Sequence, residues 1–130
     1  VNIPYSTIAI DQELSFKSHS YVNTNICRKL AINNFDKYSK IMSMSENLIS
    51  LAVSSSLKTN RKKFSSDRSF VSLFGHKLNI NYEINFLDDN LNRKQQDYII
   101  SYLVLNILLN PELKIDKHLF SSLIDIKINE

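Results

Sequence analysis

Between residues 77 and 86 the chain alternates without a break. Lys77, Asn79, Asn81, Glu83 and Asn85 take turns with Leu78, Ile80, Tyr82, Ile84 and Phe86. A β-strand sends successive side chains to opposite faces, so the pattern predicts a strand with one buried face and one wet face. Residues 69–74 (SFVSLF) read as its antiparallel partner. Gly75-His76 reads as the turn between them, glycine being the residue that tolerates the positive φ of tight hairpins. Alternation returns at 124–128, where Ile124, Ile126 and Ile128 enclose Asp125 and Lys127, and predicts a terminal edge strand. Near the start, Ile8, Ile10, Leu14 and Phe16 favour short strands at 6–10 and 13–18 over a strand followed by a helix capped by Asp11.

Elsewhere the period lengthens. Thr24 or Asn25 caps a short helix carrying Ile26, Leu30 and Ile32, which Asn33 and Asn34 interrupt because their amides compete for backbone hydrogen bonds. From Phe35 through Tyr38, Ile41, Met42, Leu48 and Ala52, apolar residues recur mostly at helical spacings and predict an amphipathic helix over 35–56. Ser54-Ser55-Ser56 and the aperiodic stretch 58–68 then read as a loop. Residues 95–109 predict a second helix, apolar almost all round and therefore buried on more than one side, lying across the sheet and against helix 35–56. Leu87-Asp88-Asp89-Asn90 stops the strand before it and supplies its cap; Asn110-Pro111 ends it and opens another short helix, with a further helical turn or two at 116–123. The fold class is α+β, with an antiparallel sheet of three to five strands packed against two main helices in a single domain.

Composition narrows this. A chain of 130 residues with 43% hydrophobic and 22% charged residues is one ordered domain with its own core. One glycine and two prolines are too few for the turns of an all-β barrel, and exclude a glycine-rich phosphate loop. The lone Cys27 excludes an internal disulfide and a cysteine zinc site, and reads as a small buried residue. The longest mostly apolar run, 98–109, falls short of a membrane span. Val1 in place of Met suggests a domain excised from a longer protein, whose removed flank could have been an anchor. The Asn, Lys, Ile and Ser bias suggests an AT-rich genome, bacterial or phage.

Four groups of residues are candidates for chemistry. Lys58, Arg61, Lys62, Lys63 and Arg68, opposed only by Asp67, form a basic stretch able to neutralise phosphates of nucleic acid or an anionic lipid surface, with Phe64 placed to stack on a base or insert at a membrane interface. The plainer reading is a solvated loop. His19, His76 and His118 lie in separate elements; His76 with Arg68 or Lys77 nearby, and one distant histidine, would suit metal-independent RNA cleavage, whereas ordinary surface histidines need no such company. Asp88 and Asp89 stand where strand-end acids can bind metals or serve catalysis; the plainer reading is that they cap the helix that follows. Asn79, Asn81, Glu83 and Asn85 would form an interaction strand if their strand lay at a sheet edge, and otherwise a wet face.

No cofactor motif and no metal-ligand set stands out, and no nucleophile motif is present. The first expectation is therefore a non-catalytic protein–protein interaction domain of a larger bacterial sensory, regulatory or secretion assembly, binding through a sheet edge or helix face. The second is a small basic nucleic-acid-binding or RNase-like domain of toxin type. The third is a domain holding a small apolar ligand. The formal charge of +3 decides nothing among them.

Overall fold

The computed structural model describes residues 22–40, 48–59 and 66–130. The strands expected at 6–10 and 13–18 lie outside these residues. In chain order the elements are helix α1 (Thr24–Ser39), strands β1 (Ile49–Ser56), β2 (Arg68–Gly75) and β3 (Leu78–Phe86), helix α2 (Arg93–Leu109) and strand β4 (Ile124–Asn129). The strands form one antiparallel sheet in the order β1-β2-β3-β4. This is an α+β fold, with the expected hairpin at its centre and the expected terminal strand at one side.

Sheet parity decides which helix goes where. Val71 and Leu73 of β2, Ile80, Tyr82 and Ile84 of β3, and Ile124 and Ile126 of β4 form one core with Ile99, Ile100, Leu103 and Ile107 of α2. Phe70, Ser72 and Phe74 alternate with these and point the other way, towards α1. There the Cys27 thiol sits 3.2 Å from the Ala52 carbonyl and 3.3 Å from that of Phe70, and Phe35 meets Phe74 edge to face at 5.2 Å. The sheet thus lies between the two helices, so α2 does not pack on α1. Each sheet face needed its own cover.

The helix expected over 35–56 is corrected at both ends. Its first residues belong to α1, which starts from Asn23, whose side chain accepts from the Ile26 N–H at 2.9 Å, and runs straight through Asn33 and Asn34. Burial of Ile26, Cys27 and Ala31, with Phe35 on Phe74, outweighs the modest local cost of two asparagines. Its last residues are β1, paired with β2 from Ile49↔Gly75 to Ser56↔Arg68. The run Ile49-Ser50-Leu51-Ala52-Val53 carries the strand period as well as the helical one, a known ambiguity of short apolar runs. Pairing resolves it, and it draws in the serines expected in a loop: Ser55 and Ser69 share a hydroxyl hydrogen bond of 2.7 Å.

Two smaller expectations fail for reasons of geometry. Gly75 does not take positive φ. It is small because a Cβ there would come within 3.3 Å of the Leu48 carbonyl oxygen. Nor do Asp88 and Asp89 cap α2. The cap is Asn92, in a reciprocal box with Gln95 (2.8 and 2.9 Å), while Asp88 accepts from the Asn90 N–H at 2.9 Å and shapes the preceding turn.

After α2 the chain makes turns rather than helices. Leu113 N–H reaches the Asn110 carbonyl at 3.1 Å, and i→i+3 bonds follow from Leu119 to Asp116 and from Ser121 to His118. Phe120 breaks that series with a left-handed φ of 52°. A non-glycine residue there costs about 1–2 kcal/mol. The conformation is held because the Phe120 carbonyl accepts from both Leu123 and Ile124, at 2.8 and 2.9 Å, which turns the chain into β4, and because its ring packs edge to face on Tyr102. Among the described residues no helix is long and apolar enough to cross a membrane.

Candidate functional site

Helix α2 is apolar almost all round, but the fold buries only one side of it. Gln96, Ile99, Ile100, Leu103 and Ile107 are buried. On the opposite side Tyr98 is 67% exposed, Tyr102 41%, Leu105 61%, Leu108 45% and Leu109 76%, with Leu113 at 69% just beyond the helix. Residues 98, 102, 105 and 109 follow one another by four, three and four, which places them in one stripe along the axis. From Tyr98 to Pro111 the chain carries no charge. At the C-terminal end of the stripe, Ile49, Leu109, Asn110, Pro111, Glu112 and Leu113 line a shallow depression of about 590 Å3. This corrects the expectation that the helix would be buried on more than one side. The return segment passes beside α2, with Phe120 against one side of Tyr102 at 5.5 Å, and leaves the rest of the outward stripe uncovered.

The stripe was hidden in the sequence because apolarity alone does not distinguish a core face from a contact face. One signal does separate them. The isoleucines of α2 (Ile99, Ile100 and Ile107) all point inward, and its tyrosines, Tyr98 and Tyr102, outward. Tyrosine is enriched at contact surfaces because it combines apolar area with a polar tip.

The basic stretch is anchored by a residue that sequence reasoning passed over. Gln96, 1% exposed, accepts from the Lys58 backbone N–H at 2.8 Å and donates to the Asp67 carboxylate at 2.8 Å. One buried amide on α2 therefore holds both stems of the β1–β2 connection. The Lys58 ammonium turns in to the Asp89 carbonyl, and the Arg68 guanidinium lies over the Phe70 ring at 5.4 Å. Arg61, Lys62 and Lys63 lie outside the described residues, as do Phe64 and His19.

The remaining candidates are dispersed. His76 sits at the β2–β3 turn, while Arg68 begins β2 at the other end of the sheet. At about 3.3 Å per residue the strand from Arg68 to Gly75, just before His76, spans roughly 23 Å. His118 lies upstream of Phe120 and Ile124, also at the far end from His76, and its N–H caps on Asp116 at 2.9 Å. Neither Arg68 nor His118 is therefore brought to His76; Lys77 follows it in the turn, and His19 lies outside the described residues. Among the described residues no three His, Cys, Asp or Glu side chains converge as a metal set would.

The interaction strand is corrected as well. β3 is interior, pairing β2 along its length and β4 from Asn81↔Asn129 to Phe86↔Ile124, so strand addition is closed over 81–86, while 78–80, which carry Asn79, have no β4 partner. Its polar face is only partly wet. Asn81, 6% exposed, accepts from the Ser72 hydroxyl at 2.7 Å and donates to Asn79 at 3.3 Å. Glu83 faces Lys127 at 3.9 Å, and Asn85 is half-buried.

Among the described residues, burial shifts the titration of two groups. Burial pushes the Cys27 thiol up to about 11, against smaller opposing hydrogen bonds from Ser72 and Ser54. A thiol held protonated is a poor nucleophile. Burial likewise raises the Tyr82 phenol; the Ile115 backbone opposes this, but the contact falls short of a hydrogen bond and the hydroxyl is left without a partner. No family model matches the chain, and neither a curated protein nor a solved structure matches it.

Proposed function

We propose that the chain is a protein–protein interaction domain and that its contact face is the outward stripe of α2. The observation that carries this reading is the uncharged, exposed run of Tyr98, Tyr102, Leu105 and Leu109 on a helix whose other side is anchored in the core. Monomeric proteins seldom leave a contiguous apolar patch beyond about 300–600 Å2 in water without a use for it. A rigid helix with apolar groups at such spacing suits a partner that presents a helix of its own.

The test is retention of partners by the immobilised chain, comparing wild type with Leu105→Lys and with Asp125→Lys on exposed β4. The reading predicts a stoichiometric partner held by wild type and by Asp125→Lys, and lost with Leu105→Lys. Equal retention by all three variants, or the absence of any stoichiometric partner of wild type, another copy of the chain counted as one, would overturn it.

A further inference from the structure

The outward stripe has features that define its occupant. Tyr98, Tyr102, Leu105, Leu108, Leu109 and Leu113 are 41–76% exposed. At roughly 150–250 Å2 per large side chain they present on the order of 600 Å2 of apolar surface. A stable interface of standard size takes about 800 Å2 from each partner, of which roughly 56–65% is apolar. The stripe, with Leu108 and Leu113 beside it, supplies that apolar share.

Its ends carry opposite charge. Lys94, one helical step of four before Tyr98, is exposed at the N-terminal end, and Glu112, exposed beside Leu113, closes the C-terminal end. Among the described residues neither enters an ion pair within the chain.

Resting on the reading of this stripe as a contact face, we infer that its occupant is a second copy of the same chain, docked α2 to α2 in antiparallel orientation about a twofold axis. An axis passing between Tyr102 and Leu105 sets Tyr102 of each copy against Leu105 of the other, and Tyr98 against Leu109. Rings then fill the spaces between leucines instead of meeting one another. The same register carries Lys94 of each copy to Glu112 of the other, twice by symmetry, and antiparallel helix dipoles favour the arrangement. A parallel pairing would instead set Lys94 against Lys94.

Sedimentation velocity of the full chain across a 100-fold concentration series tests this. Wild type is expected to be a dimer that dissociates on dilution, and Leu105→Lys a monomer throughout. Lys94→Glu and Glu112→Lys are each expected to weaken the dimer on the order of 10-fold, since two rim pairs turn repulsive. The double charge swap is expected to return it to within about 3-fold of wild type. A dimer without that rescue overturns the antiparallel register. A wild-type monomer at every concentration overturns the inference; the contact-face reading survives it if a different protein is still captured and lost with Leu105→Lys. A monomer in which Leu105→Lys also lowers Tm would assign the stripe to cover by the chain itself, and overturns both.

Discussion

The two faces of α2 have nearly the same chemistry and opposite surroundings. Ile99, Ile100, Leu103 and Ile107 close the core over β2, β3 and β4, while Tyr98, Tyr102, Leu105 and Leu109 stand in water half a turn away. An apolar face is buried by whatever the fold brings to it, and here a single sheet reaches only one side. Apolar surface that folding leaves uncovered is available for association. The difference between the faces is therefore a difference between stability and binding, and it can be broken from either side.

The largest effect belongs to the inner face. Leu103→Ala, at a fully buried site, should cost about 2–5 kcal/mol in denaturant unfolding. The same truncation at Leu105 should stay within about 0.5 kcal/mol for the monomer. Similar losses at both positions would erase the distinction between the faces.

Next comes pH, which probes burial on the α1 side of the sheet. The Cys27 thiol has a folded pKa of about 11, above its ordinary value of 9.0. Between those values the unfolded chain has lost a proton that the folded chain retains, so stability falls as pH rises. A shift of this size corresponds to about 2–3 kcal/mol lost by pH 11. Tyr82, also raised, acts in the same direction above pH 10. Cys27→Ala should flatten the limb that begins near pH 9 in a pH series of unfolding midpoints. A limb unchanged by the substitution would place the titration elsewhere.

Buried polar groups sharpen the comparison further. Gln96→Leu keeps the inner face apolar and filled but removes the bonds to Lys58 and Asp67. It should cost about 1–3 kcal/mol. It should also speed amide exchange in the described stems of the β1–β2 connection while leaving β3 protected. Tyr82→Phe removes a buried hydroxyl that has no partner, and should be neutral or stabilising by up to about 1 kcal/mol. A clear destabilisation would show that the hydroxyl is hydrogen-bonded after all.

How much of this was legible beforehand depended on whether period or environment decided the outcome. Strict alternation at 77–86 and at 124–128 predicted β3 and β4, because a period of two has few competing explanations. Residues 49–56 satisfied both periods, and pairing with β2 decided between them. Asn33 and Asn34 looked like an interruption because propensity is local, whereas the contacts that hold α1 are not. The contact stripe was the least legible feature. Leu105 and Leu103 are the same residue type on the same helix, and only the third dimension separates them. The basic stretch was visible as composition, but Gln96, which ties its ends, sits inside an apolar run with no motif to mark it.

One measurement bears most directly on the division between the two faces. It is guanidinium unfolding of wild type and of the Leu105→Ser/Leu109→Ser double variant, each at low and at high protein concentration. At low concentration the two should unfold within about 0.5 kcal/mol of each other. At high concentration wild type alone should gain stability, because association favours the folded state. A variant that loses several kcal/mol even in dilute solution would place the outer stripe in the core and contradict the account.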